Sequence, residues 1–131
     1  DAIKGGQALI KFAEHTIGAP LHPFLLWGFS AGGQFNYEFA CKYPQYTGAF
    51  VVNKGGIYYT ALAPNATRHI PGLFIIGEHD AKWRKDIVTG IWGVNQVAGA
   101  DWELELEAAG HALGNSMRLG VEFFKRRVLG K

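Results

Sequence analysis

Apolar and polar positions along this chain follow two different periods in turn. Leu9, Phe12, Ala13 and Ile17 recur at helical spacing, and Gly18-Ala19-Pro20 is expected to stop that first helix. Short continuous apolar runs then come at Phe24-Leu25-Leu26-Trp27, Ala49-Phe50-Val51-Val52 and Leu73-Phe74-Ile75-Ile76. Each is bounded by Gly or Pro on at least one side, the pattern of strands buried on both faces of a parallel sheet. Between them the spacing predicts a helix from about Ala31 to Lys42, ended near Pro44, and a linking segment from Gly55 to Pro71. Ile87, Val88, Ile91 and Trp92 mark a helix after the third strand. Trp102-Glu103-Leu104-Glu105-Leu106-Glu107 alternates strictly, as an edge strand with one wet face would, and its glutamates discourage strand addition. Met117, Val121, Phe124 and Val128 form the apolar stripe of a last helix, with Asn115 or Ser116 as its expected cap.

The order is a helix, then four strands with helices or a linking segment between them. It predicts an α/β fold: a parallel four-stranded sheet flanked by helices, with right-handed crossovers, in one domain over residues 1–131. At 48% hydrophobic and 18% charged, 131 residues can hide about two-thirds of their unfolded surface, enough for a core. The net charge of +2 is too small and scattered for a nucleic-acid surface, and no apolar run approaches membrane-spanning length. Lys125-Arg126-Arg127 is expected to close the last helix, where cations meet the negative end of its dipole. Cys41 stands alone and follows Phe39-Ala40, so it reads as a small buried hydrophobe rather than a nucleophile. His69, His79 and Asp80 lack the spacing of a metal site, and no metal is expected.

Chemistry concentrates in three places. Gly28-Phe29-Ser30-Ala31-Gly32-Gly33 lies directly after a strand and before a helix, the setting of a G-x-S-x-G turn. There the chain bends so sharply that the serine is strained and its hydroxyl exposed. Side chains two positions either side would collide, which Gly28 and Gly32 avoid. The N–H of Ala31, first in the following helix, is a candidate oxyanion donor. Gly77-Glu78-His79-Asp80 ends the third strand, and strand ends are where such sheets place their sites. A carboxylate there can orient a histidine; Asp80 is the first choice, with Glu78 and Asp86 in reserve, although Asp80 could simply cap a helix. Ala109-Gly110-His111-Ala112 follows the fourth strand and completes the chain order Ser, Asp, His. Phe29 and Trp83 are candidate substrate contacts, Trp83 because it stands among Lys82, Arg84 and Lys85, while Trp27 and Trp92 fit the core pattern. Asn53, Gly55-Gly56 and Tyr58 either border the pocket or form a plain turn.

From about Ile3 to Leu129 the chain resembles the second half of an α/β-hydrolase. The elbow Phe24 to Gly33 is similar to those of esterases, Ile70 to Asp80 resembles the family's acid-bearing strand, and Gly110-His111 its histidine loop. Among subfamilies it most resembles the polyhydroxybutyrate-depolymerase and feruloyl-esterase group. The resemblance implies a truncated or minimal α/β-hydrolase fold, with Ser30, Asp80 and His111 as nucleophile, orienting acid and base, and no cofactor.

Two departures qualify it. The family's first four strands, with the loop supplying the second oxyanion donor, are absent from these residues. The stretch from Ser30 to Asp80 is too short for a large inserted cap, which implies an open site. The expected activity is hydrolysis of small carboxylic esters through an acyl-enzyme. The alternatives are a non-catalytic fragment needing a missing N-terminal half, and an acyltransferase or perhydrolase with the same triad. The first strand would be left as an unguarded apolar edge, with His22 and Pro23 only at its entrance. A homodimer, or a complex with an N-terminal fragment, is therefore expected.

Overall fold

In the computed structural model, residues 2–18 and 23–130 are described. The order is α1 (Ala2–Ile17), β1 (Phe24–Phe29), α2 (Ala31–Lys42), a single 3-10 turn (Pro44–Tyr46), β2 (Thr47–Asn53), α3 (Asn65–Arg68), β3 (Gly72–Gly77), α4 (Lys82–Val97), β4 (Trp102–Glu107) and α5 (Ser116–Arg127). The four strands pair in sequence order, all parallel, with Gly28 opposite Val52, Val52 opposite Phe74 and Phe74 opposite Leu104. The linking segment from Gly55 to Pro71 holds one short helix, α3. Of the expected stop to α1, Gly18 is described, at φ +71° with its N–H on the Glu14 carbonyl, whereas Ala19 and Pro20 lie outside the described residues, as does His22.

Side chains alternate across a strand, so β2 and β3 feed two cores. Phe50, Val52, Phe74 and Ile76 pack with Tyr37 and Ala40 of α2, Val88 of α4 and Trp102. Ala49, Val51, Leu73 and Ile75 pack on Phe123 of α5. Both faces of β2 and β3 are buried as expected. β1 is not: Leu25 is 43% exposed, because an edge strand has a neighbour on one side only.

The two flanking stripes also differ from expectation. In α5 the face toward the sheet is Ser116, Gly120 and Phe123, while Met117, Val121 and Val128 are exposed. The reason is close approach. A Cβ at Gly120 would lie 2.5 Å from Trp27 Cδ1, so the helix docks through its smallest residues and the stripe shifts by one position. In α1, Leu9 and Phe12 are each 68% exposed, and the helix rests on α2 through Gly6, where a Cβ would meet the Phe35 ring at 3.3 Å. The Asn115 side chain makes no cap to α5. On β4, Trp102 and Leu104 pack inward as the alternation predicts, but Leu106 is exposed and Glu107 turns inward instead of guarding the edge. No helix among the described residues is long and apolar enough to cross a membrane.

Candidate active site

Ser30 sits in the single-residue turn between β1 and α2 with φ +55° and ψ −116°, a conformation costly for any residue with a side chain. Its N–H donates to the Asn53 carbonyl at 2.7 Å, which ties the turn to the end of β2. A Cβ at Gly28 would run into the Gly32 backbone and stand 2.7 Å from Asn36 Nδ2, so glycine is required there. The expectation for Gly32 fails, since a Cβ at that position meets open space. The tight contact belongs to Gly33, whose Cβ would stand 3.0 Å from both the Asn53 nitrogen and the Gly28 oxygen. Crowding is set by how closely α2 lies on β2, not by symmetry about the serine.

Three strand ends bring three groups into line. Ser30 follows β1, Asp80 follows β3 and His111 follows β4. Ser30 Oγ is 3.0 Å from His111 Nε2, and His111 Nδ1 is 2.9 Å from Asp80 Oδ2. A carboxylate can only accept, so the proton of the neutral ring resides on Nδ1 and Nε2 is left to accept from the serine hydroxyl. The Phe29 ring lies against the imidazole, centroids 5.1 Å apart. His111 remains 30% exposed through its side chain, while Asp80 is almost wholly buried.

Asp80 is held from three sides. Its Oδ1 accepts from the Ala81 N–H and from Arg84 Nη1, each at 2.7 Å, and Oδ2 accepts from His111. Burial pushes this carboxyl up, but the bonds from His111, the Ala81 N–H and Arg84 together outweigh it, leaving it below the ordinary carboxylate range. The expected helix-capping role of Asp80 does not hold: Ala81 is the N-cap of α4, and the Asp80 bond to its N–H lies ahead of the helix. Of the reserves, Asp86 pairs with Lys82 on the surface at 2.6 Å, and Glu78 is exposed. Neither is among the hydrogen-bond partners of His111.

A groove of about 350 Å³ opens beside Ala31. Its walls are Ile3 of α1, Gln34, Phe35 and Glu38 of α2, and Ile57 and Tyr59 of the segment after β2. Neither Phe29 nor Trp83 lines it. Trp83 is half exposed, with the Arg84 guanidinium 4.4 Å from its ring centroid, and both pack beside Gly56. Asn53, Gly55, Gly56 and Tyr58 do not line this groove; their neighbours Ile57 and Tyr59 do. Gly56 is fixed by its N–H to Gln34 Oε1 at 2.8 Å, and Glu38 holds Tyr59 and Thr60 by their N–H groups. Asn53 is buried and donates to Ser116 Oγ at 2.6 Å. Cys41 is partly buried and desolvation raises its thiol to about 12, so it stays protonated and unreactive.

Sequence reasoning missed one residue of this region, Lys54, and misplaced another, Glu107. Lys54 is 1% exposed, takes φ +58°, and places Nζ 2.6 Å from Glu107 Oε1 and 2.7 Å from the Ala112 carbonyl oxygen. Glu107 had been expected on the wet face of the edge strand.

The four-stranded parallel sheet with its flanking helices has the fold of solved esterase structures. Among solved structures, SOBER1 of Arabidopsis thaliana superposes with a TM-score of 0.77 at 21% identity, over 97% of this chain and 63% of that one. Esterase PE8 gives 0.71 at 19% identity, over 92% and 57%. A ferulic acid esterase gives 0.68 at 12% identity, over 89% and 55%. The chain thus spans about three-fifths of the length of the structures it matches. No family model matches the chain, and no curated protein does.

Proposed function

We propose that this chain carries the catalytic residues of a serine hydrolase acting on carboxylic esters. The observation that supports this best is the continuous path from Ser30 Oγ through His111 to Asp80, at 3.0 Å and 2.9 Å, across three strand ends. In the proposed reaction His111 Nε2 takes the hydroxyl proton as Ser30 Oγ attacks the acyl carbon. Asp80 keeps the ring oriented and stabilises the imidazolium that forms. The Ala31 N–H, among the first of α2 and therefore without a partner inside the helix, donates to the tetrahedral oxyanion. His111 returns its proton to the leaving alcohol, then activates the water that releases the acyl group. The groove beside Ala31 is walled mainly by apolar and aromatic side chains and suits the apolar part of the substrate. A second oxyanion donor and a cover for the β1 edge are assigned to chain outside the described residues, from a second copy or an N-terminal segment.

The test is Ser30→Ala, assayed with a small activated ester such as p-nitrophenyl acetate and with a serine-directed phosphonate. Turnover is expected to fall by about a thousandfold or more at unchanged fold, because groups acting as a unit fail together. Phosphonate labelling should be lost with it. Near-full turnover in the variant would refute the proposal. An unlabelled, inactive native chain would favour a non-catalytic fragment.

A further inference from the structure

The loop that carries His111 is secured at its root by backbone bonds. The Glu78 N–H donates to the Glu107 carbonyl at 2.8 Å, and the His79 N–H to the Ala109 carbonyl at 3.0 Å. Beyond Ala109 the backbone bonds are local to the loop, from the Ala112 N–H to the Gly110 carbonyl and from the Ser116 N–H to the Leu113 carbonyl, each at 2.9 Å. The chain then passes over Gly77, where a Cβ would stand 2.7 Å from the carbonyl oxygens of both Ala109 and Gly110 and 3.0 Å from the Lys54 stem. Beyond His111 the loop is exposed from Ala112 to Asn115. Left to itself, such a segment would be among the most mobile in the domain.

It is not left to itself. The Lys54 ammonium bridges Glu107 Oε1 and the Ala112 carbonyl, so one cation spans the loop from its root to the residue after His111. The second Glu107 oxygen accepts the Asn115 N–H, which closes the far end of the loop. Gly114, at φ +50°, lets the backbone lie directly on that carboxylate, where a Cβ would not fit. Lys54 pays for its place with a left-handed backbone, and its own N–H is fixed on the Ile75 carbonyl at 2.9 Å. Its chain neighbour Asn53 accepts the Ser30 N–H. The end of β2 therefore touches both halves of the site, the serine through a backbone carbonyl and the histidine loop through a buried ammonium.

We propose that Lys54 is a positioning residue for the reaction, holding the His111 loop at attack distance from Ser30 through Glu107 and the Ala112 carbonyl. This rests on the esterase proposal. Its charge is not spent on substrate: the side chain is fully buried and its ammonium is already paired with both acceptors. The pair spans 53 positions of sequence.

The experiment is Lys54→Met, with kcat normalised to sites titrated by the phosphonate, so that misfolded protein does not count. A misplacement of about 1 Å can cost on the order of a hundredfold, and a fall in kcat of that size is expected, with KM little changed. A role confined to stability would lower the number of titrated sites and leave kcat per site alone, which overturns the proposal. Glu107→Gln keeps an acceptor for Lys54 and should lose less kcat than Lys54→Met. Lys54→Met strands a buried carboxylate and could fail to fold, so Lys54→Met/Glu107→Gln, which removes both charges, is the second variant. Wild-type kcat in that double variant overturns the proposal. A measurement on the native chain stands whatever the variants do: the Asn115 amide should exchange with deuterium far more slowly than those of Leu113 and Gly114. Equally fast exchange overturns it. A native chain that neither turns over ester nor takes phosphonate sinks the esterase proposal instead, and leaves Asn115 exchange to judge the brace alone.

Discussion

Ser30 and His111 meet at 3.0 Å but are held there by different physics. The serine side is held by crowding. Gly28, Gly33 and the end of β2 leave the backbone one path, and the strain at Ser30 is borne by the close packing of α2 on the buried strand β2. The histidine side is held by charge. Asp80 with Arg84, and Glu107 with Lys54, fix a loop whose own side chains bury little. Close packing fails when atoms are added, whereas a buried ion pair fails when a charge is taken away. The two sides should therefore break under opposite kinds of substitution.

The largest effect is expected on the serine side. Gly28→Ala puts a Cβ into the Gly32 backbone, which cannot move without displacing α2 from β2. A loss of about 4 kcal/mol or more, or failure to fold, is expected in urea unfolding. Gly32→Ala should leave stability unchanged or raise it by up to about 1 kcal/mol, since it adds a methyl to an exposed helical position. If both are equally damaging, crowding is not what holds the turn.

On the histidine side the matching change removes charge without adding volume. Asp80→Asn should fold, because an amide oxygen can still accept the Ala81 N–H, yet turnover should drop about ten-thousandfold through the wrong imidazole tautomer. Glu78→Gln and Asp86→Asn, whose carboxylates lie outside the site, should retain turnover. Damage from either of those two at matched folding would move the acid away from Asp80.

The same contrast explains what could be read from the chain. Crowding leaves local marks: Gly28, Ser30 and Gly33 fall within six residues, and the turn, the strand before it and the helix after it were all legible. Charge pairing leaves none. Lys54 follows a strand like any turn lysine, and Glu107 completes an alternation that suggests a wet edge. Their pairing depends on two strand ends being brought together by β3 between them. The helix faces failed for a related reason. Periodicity finds a stripe, but Phe123 and Phe124 belong to overlapping stripes, and the small Gly120 against Trp27 decides which one docks.

The smallest expected effect is on stability against pH, where the two sides should also differ. The backbone of the Ser30 turn is held by crowding and by its N–H bond to the Asn53 carbonyl, neither of which adds pH dependence. Asp80 and Glu107 both do. Burial pushes the Glu107 carboxyl up, but the bonds from Lys54 and the Asn115 N–H outweigh it, and both acids end below their ordinary values. A carboxylate with a depressed value in the folded chain stabilises it fully above its unfolded value, about 3.9 for Asp and 4.3 for Glu. That stabilisation is lost as pH falls through this range toward the folded value. The urea midpoint should thus be insensitive to these groups between about pH 6 and 8 and decline below about pH 4.5. Glu103 is also depressed, through Arg126 and Arg127 at the far end of β4, so Glu103→Gln must be subtracted as a control. In that background Glu107→Gln and Asp80→Asn should each remove part of the remaining acid decline, whereas Ser30→Ala should remove none. An acid decline that survives both carboxylate substitutions would mean that the histidine side, like the serine side, is held by packing after all.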